Sequence, residues 1–233
     1  MSKDAIIMFL RYPERGKMRT RLAREIGDDL AFELHVCFIR DILNTLRAVD
    51  AETIIVGTGS TGKGPPGIFG KSLRLVQRGR DFGERLHNAF ADVFTRGFDR
   101  AVLVGIECPG LPAGYIRQAF GELGNHDAVI GPDRDGGYSL IALHGRSLRA
   151  EIFKDISWGT SRVLVETVEK IEDALTGLSI LDQVERVNGV EDLARLAGDE
   201  ASPARNTRQF LEQHREALPG NQEEKVGINP VSE

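Results

Sequence analysis

The sequence predicts an α/β fold of three layers around a mostly parallel central sheet. Three observations carry this expectation. Short apolar runs alternate with segments of helical period along nearly 200 residues. The apolar runs are continuous rather than alternating, as in strands covered on both faces. Gly, Pro and Asp clusters punctuate the junctions. A length of 233 residues fits one large domain or one and a half small ones.

The first strand is Asp4 to Arg11, whose run Ala5–Leu10 is apolar throughout. Tyr12 to Met18 holds Pro13 and Gly16 and reads as a loop. One long helix follows, with Leu30, Leu34, Phe38, Ile42, Leu46 and Val49 at steps of three or four and Asp28 and Asp29 near its positive end. Glu52 to Val56 is a strand, then a Gly/Pro-rich loop runs to Gly70, and Ser72 to Val76 is a short polar strand. Phe82 to Thr95 is a helix, Ala101 to Val104 a buried strand, and Pro112 to Leu123 a helix with Pro112 in its first turn. Asp127 to Ile130 and Tyr138 to Leu143 are strands. Ser161 to Leu175 and Glu191 to Ala197 are helices.

These elements define an expected domain of residues 1–198. Residues 199–233 read as a C-terminal helix and tail. Asn206 to Leu218 has helical period, with Asn206 and Gln209 spaced as a cap pair, and Gly220 to Glu233 has none and reads as disordered.

Composition narrows the function. Thirty Lys and Arg stand against 35 Asp and Glu, for a net charge of −5, which argues against a generic nucleic-acid binder. The charge is uneven. Lys3, Arg11, Arg15, Lys17, Arg19, Arg21 and Arg24 oppose only Asp4 and Glu14, so residues 1–24 carry +5 on a body of −10. Such a segment can receive an anion. Cys37 and Cys108 are too few and too far apart for a zinc or disulfide framework. Ala5–Leu10 is too short for a signal-peptide core or a membrane span, so a cytoplasmic address is expected.

Two phosphate motifs are nearly present. Gly57-Thr58-Gly59-Ser60-Thr61-Gly62 fits G-x-G-x-x-G, and the run through Lys63 approaches a P-loop. Both need a helix to start there, and Gly64-Pro65-Pro66-Gly67 prevents one. The stretch reads as a strand-end loop.

Four other segments could carry chemistry. Phe9 to Leu22 is a strand, then a basic loop with Lys17, Arg19 and Arg21, which suits a diphosphate or is simply solvated. Asp81-Phe82-Gly83-Glu84-Arg85 could bind, although helix capping alone accounts for both acids. Glu107 follows a buried strand, where ligands of open sheets bind, and a carboxylate there can hold a hard cation. Asp135-Gly136-Gly137-Tyr138 makes a hairpin turn that does not itself require Asp135. Downstream, Trp158 and Thr160 could wall a substrate site, with core packing as the other reading of Trp158.

In this order the segments resemble a bacterial family of GT-A-like nucleotide-diphospho-sugar transferases. Its pattern runs F-x-K-x-P-x-x-G-x-x-K-T-R-L, G-D-L-G-E-R, G-x-D-x-P, G-P-x-x-D-G-G-Y, W-x-T and D-x-D-T-P-E-D-L. The match spans Phe9 to Leu193. The resemblance implies a Rossmann-like GT-A fold and a glycosyltransferase moving a sugar from a nucleotide-diphospho-sugar to a small acceptor. It assigns Arg11, Gly16, Lys17, Arg19, Thr20, Arg21, Asp81, Gly83, Glu84 and Arg85 to the nucleotide and diphosphate, and Glu107 to Mg²⁺ or Mn²⁺. It assigns Asp135 to catalysis and Gly136, Gly137, Tyr138, Trp158 and Thr160 to the acceptor side.

Two departures bear on the metal. Glu107 stands where the pattern has Asp, and Arg186 and Asn188 replace the two aspartates of the last motif. The alternatives are a nucleotidyltransferase joining NTP to a phosphorylated small molecule, and a catalytically degenerate nucleotide-binding module. The expected partners are a donor and an acceptor of low molecular weight, with no nucleic acid and no membrane span. The oligomeric state stays open.

Overall fold

The computed structural model describes residues 3–17, 20–59 and 67–218. Seven strands form one sheet in the order β3-β2-β1-β4-β6-β5-β7. They are β1 (Asp4–Arg11), β2 (Glu52–Thr58), β3 (Leu73–Val76), β4 (Arg100–Val104), β5 (Ala128–Pro132), β6 (Tyr138–His144) and β7 (Leu178–Ile180). Six strands run parallel, and β6 runs antiparallel between β4 and β5. The α/β class and the mostly parallel sheet agree with the expectation.

The chain leaves β1 for β2 and β3 on one side, then returns to β4 on the other. This reversal splits the connections between β1 and β4 and opens a crevice beyond their carboxyl ends.

Burial explains the layers. Side chains of successive strand residues point to opposite faces. From β1, Ile6, Met8 and Leu10 enter one cluster with Ile39, Ile42 and Leu46 of α2 (Asp28–Arg47) and Ile116 and Ala119 of α4 (Ala113–Glu122). Ala5, Ile7 and Phe9 enter the other with Leu86, Phe90 and Val93 of α3 (Phe82–Phe94) and Ile171 of α5 (Val163–Ala174).

A third cluster lies on the outer side of α2. It joins α1 (Thr20–Ile26), α6 (Val190–Gly198) and α7 (Arg205–Gln213) through Leu22, Leu34, Phe38, Leu193, Phe210 and Leu211. Among the described residues no helix is long and apolar enough to cross a membrane.

Several boundaries differ from the sequence reading. The long helix expected with Asp28 and Asp29 near its start is α2, and a short helix that the sequence reading did not separate, α1, precedes it. Gly27 divides the two at a φ of 84°, a left-handed conformation that only glycine adopts without strain. The last helix stops at Gln213, and Asn206 is not paired with Gln209 as a cap. Instead the buried Asp41 carboxylate accepts from Asn206 N (2.8 Å) and Nδ2 (2.7 Å) and from Thr207 N (2.8 Å) and Oγ1 (2.6 Å). That ties the start of α7 to α2. The expected disordered tail from Gly220, most of the P-loop-like stretch and Arg19 lie outside the described residues.

Candidate active site

A cleft of about 800 Å³ lies over the carboxyl ends of the parallel strands. Its floor is Phe9, Leu10 and Leu103, with Arg11 from β1 and Gly105 and Glu107 from the loop after β4. One wall is Phe82, Arg85 and Leu86 at the start of α3. The opposite side is Asp135, Gly137 and Tyr138, closed by Trp158, Thr160, Arg186 and Asn188. These residues come from six separate stretches of chain that converge on one volume.

Each wall has a local cause. Asp81 N-caps α3 by accepting from Glu84 N at 2.8 Å, and Glu84 accepts from Arg80 N at 2.8 Å. Both acids serve the turn, which accounts for them without a ligand. That turn points Arg85 into the cleft, where its Nε reaches back to Gly79 O at 3.4 Å. Gly83 is the contact point of α3. A Cβ there would lie 2.1 Å from Phe153 O and 3.2 Å from Trp158 Nε1. Edge-on rings continue the wall, with Trp158 at 4.9 Å from Phe82 and 6.5 Å from Tyr138 between centroids. Trp158 is therefore both a packing residue and a lining one.

The D-G-G-Y turn is organised by Asp133, which the sequence reading passed over. Asp133 is 0% exposed. Its Oδ1 accepts from Asp135 N and Gly137 N, both at 3.0 Å, and its Oδ2 accepts from Arg186 at 3.0 Å. Gly136 has a φ of 78° and sits against Ser161, where a Cβ would come within 2.2 Å of the Ser161 carbonyl oxygen. The turn leaves Asp135 facing the cleft, with Oδ2 accepting from Asn188 Nδ2. The Tyr138 hydroxyl is buried, and desolvation raises its pKa.

The segment that carries Arg186 is stitched across the strand ends. Val184 N donates to Pro132 O at 2.9 Å, and Val187 N donates to Glu107 O at 2.8 Å. Asp192 accepts from the N–H groups of Asn188 (2.7 Å) and Gly189 (2.9 Å), which starts α6 there. Arg186 Nε donates to Asn188 Oδ1 at 3.2 Å. Burial works against the Arg186 charge, but the nearby carboxylates of Glu107 and Asp133 outweigh it and raise its pKa.

The basic N-terminal loop is only partly at the cleft. Arg11 lines it. Gly16 takes a φ of 71° in the turn, and Lys17 pairs with Glu14 at 3.1 Å away from the lining residues. Thr20 begins α1. Arg21 lies within α1, 3.9 Å from Glu25 and beside Gly189, and is not a lining residue.

The acids of the cleft are already engaged by donors of the chain. Glu107 Oε2 folds back to accept from Ile106 N at 3.0 Å. Asp133 accepts on both oxygens, and Asp135 accepts from Asn188. Among the described residues no group of three or more His, Cys, Asp or Glu is arranged to hold a metal. A guanidinium stands among these acids, so the donor set does not fit Mg²⁺ or Mn²⁺. Cys108 lies beneath the cleft, 2.7 Å from Ser139 Oγ. Burial pushes its thiol up to about 12, against the opposing pull of that hydrogen bond, which makes it a poor nucleophile.

Fold and cleft together define an open α/β protein with a cleft at the carboxyl edge of the sheet. Residues 42–160, just over half of the chain, match the family described as "uncharacterized protein conserved in bacteria (DUF2064)", and the chain belongs to it. A crystal structure from Desulfovibrio desulfuricans G20, of a candidate nucleotide-diphospho-sugar transferase, is 33% identical. The match covers 93% of this chain and 97% of that one, with a TM-score of 0.85.

A cytidylyltransferase from Leptospira borgpetersenii serovar Hardjo-bovis (strain JB197) shares the fold at 15% identity. It covers 99% of this chain and 100% of that one, with a TM-score of 0.56. So does the 4-diphosphocytidyl-2C-methyl-D-erythritol synthase of Anaerococcus prevotii DSM 20548, at 12% identity, 91% and 96% coverage and a TM-score of 0.53. No curated protein matches the chain.

Proposed function

We propose that this protein is a glycosyltransferase that lays a nucleotide-diphospho-sugar along the strand ends and passes the sugar to a small acceptor. The observation that carries the reading is the convergence of Arg11, Arg85, Glu107, Asp135 and Trp158 on one cleft at the topological switch. The 33% identical relative, by its description, supports the donor class.

The roles follow from charge and position. Arg11 and Arg85 attract the diphosphate from two sides. Asp135 Oδ1 takes the acceptor hydroxyl proton, while Asn188 holds Oδ2. The acceptor oxygen bonds to the anomeric carbon, the bond from that carbon to the diphosphate oxygen breaks, and the nucleoside diphosphate leaves with the electron pair. Trp158 and Tyr138 exclude water from the sugar. No step is routed through a metal. Two free, buried thiols suit the cytoplasm as the compartment.

A second reading is nucleotidyl transfer in the same cleft, which the fold shared with a cytidylyltransferase accommodates. Phosphorus NMR of reactions with a panel of nucleotide sugars and nucleoside triphosphates separates the two. Release of a nucleoside diphosphate from a nucleotide sugar supports the proposal. Release of pyrophosphate with a phosphorylated acceptor assigns the second reading. Binding without turnover of any donor makes the protein a nucleotide-binding module.

A further inference from the structure

Arg186 lines the cleft beside Glu107 and Asp133, and its surroundings are built to hold it there. One face of the guanidinium is anchored, with an NH1-to-Asp133 Oδ2 contact of 3.0 Å and an Nε-to-Asn188 Oδ1 contact of 3.2 Å. Asp133 is itself fully buried and fixed by two backbone N–H donors, so the anchor does not swing. The other face opens to the cleft, with the side chain 32% exposed. A guanidinium has five N–H donors in a planar fork, and the two anchor bonds leave at least one nitrogen for a ligand.

Charge points the same way. The cleft is lined by three arginines, Arg11, Arg85 and Arg186, against two carboxylates, Glu107 and Asp135. The hydrogen bonds accepted by Glu107, Asp133 and Asp135 come from donors of this chain. Acids held this way orient the cation among them rather than present an open coordination site.

We infer that Arg186 is the resident counter-charge for the diphosphate, replacing a divalent cation, so that the protein binds its nucleotide donor without metal. The inference rests on the nucleotide-diphospho-sugar reading and specifies how that site is neutralised. During transfer the guanidinium would stabilise the oxygen that leaves the anomeric carbon, which is the charge a metal otherwise offsets.

The test is calorimetric titration with UDP, GDP, CDP and inorganic pyrophosphate, in excess EDTA and in millimolar MnCl₂. Wild type, Arg186→Gln and Arg186→Lys are compared, each checked for folding by circular dichroism. The expected result is that the wild type binds its preferred nucleoside diphosphate within about twofold in the two buffers. Arg186→Gln loses about tenfold or more in both buffers, and Arg186→Lys recovers part of the loss. The matching nucleoside, which lacks phosphates, titrates equally into wild type and Arg186→Gln, which a merely structural defect would not allow.

A wild-type affinity that rises more than about tenfold with MnCl₂ overturns the inference and leaves the glycosyltransferase reading standing. Equal diphosphate binding by Arg186→Gln and wild type overturns it as well. Absence of binding to every diphosphate in both buffers overturns both readings. The wild-type comparison stands even if a variant fails to fold.

Discussion

Replacing Asp133 by Asn probes the link between site and stability, because this side chain is buried and serves both. The amide is isosteric. Its oxygen can keep the 3.0 Å bonds from Asp135 N and Gly137 N, while its NH₂ group takes the place of Oδ2 and faces Arg186. One donor then meets another. Breaking a buried ion pair from one side costs about 3–5 kcal/mol where the surviving charge is trapped. Arg186 is 32% exposed and can turn to the cleft for water, which lowers the expectation to about 2–3 kcal/mol. For a chain of this size that is a fall in Tm of about 4–12 °C.

Urea unfolding measures it as a shift of midpoint at constant m. A double variant Asp133→Asn with Arg186→Gln removes the mismatch, so its loss falls short of the sum of the singles by about 1–3 kcal/mol. Asp133→Asn within about 0.5 kcal/mol of wild type, or strictly additive singles, refutes the proposed anchor.

Three further outcomes are expected. Asp41→Ala strands the Asn206 and Thr207 backbone donors at the start of α7, costs about 2–4 kcal/mol, and lets limited proteolysis reach α7 first. Gly83→Ala places a methyl 2.1 Å from Phe153 O, costs about 1–3 kcal/mol in urea unfolding, and changes Trp158 emission as α3 shifts. Burial pushes the Cys37 thiol up to about 11 and the Cys108 thiol up to about 12, so thiolate forms only as pH climbs toward those values. At pH 8 Ellman's reagent should leave the native protein essentially unlabelled and titrate both thiols in denaturant.

The parallel core was legible because its strands are short, continuous apolar runs. Asp4–Arg11 shows at both ends where such a run stops, and the matching strand has the same bounds. The apolar period that begins at Leu30 marked α2, whereas α1 was not legible as a separate helix, since its 7 residues before Gly27 are too few to show a period. β7 escaped because three half-exposed residues carry no period.

The site divides along the same line. Arg11, Glu107, Asp135 and Trp158 stand out because they sit at strand ends or in turns, Arg85 because it follows the Asp81/Glu84 capping pair at the start of a helix, and all five share the cleft. Asp133 had no such signal. Its role depends on Arg186, 53 residues away, which pairs with it only once the fold forms. Reading Arg186 and Asn188 as lost acids missed that they have partners of their own. Within the +5 segment Arg11 lines the cleft, whereas Lys17 pairs with Glu14, a contact between side chains that total charge does not show.

The most direct test of the central claim uses Trp158, the single tryptophan, which lines the cleft. Its fluorescence is titrated with a panel of nucleotide sugars, and with the matching nucleosides as controls. The account predicts a saturable change with at least one nucleotide sugar, weakened about tenfold or more by Arg85→Ala. A flat response to every nucleotide sugar would contradict it, as would a response equal in wild type and Arg85→Ala.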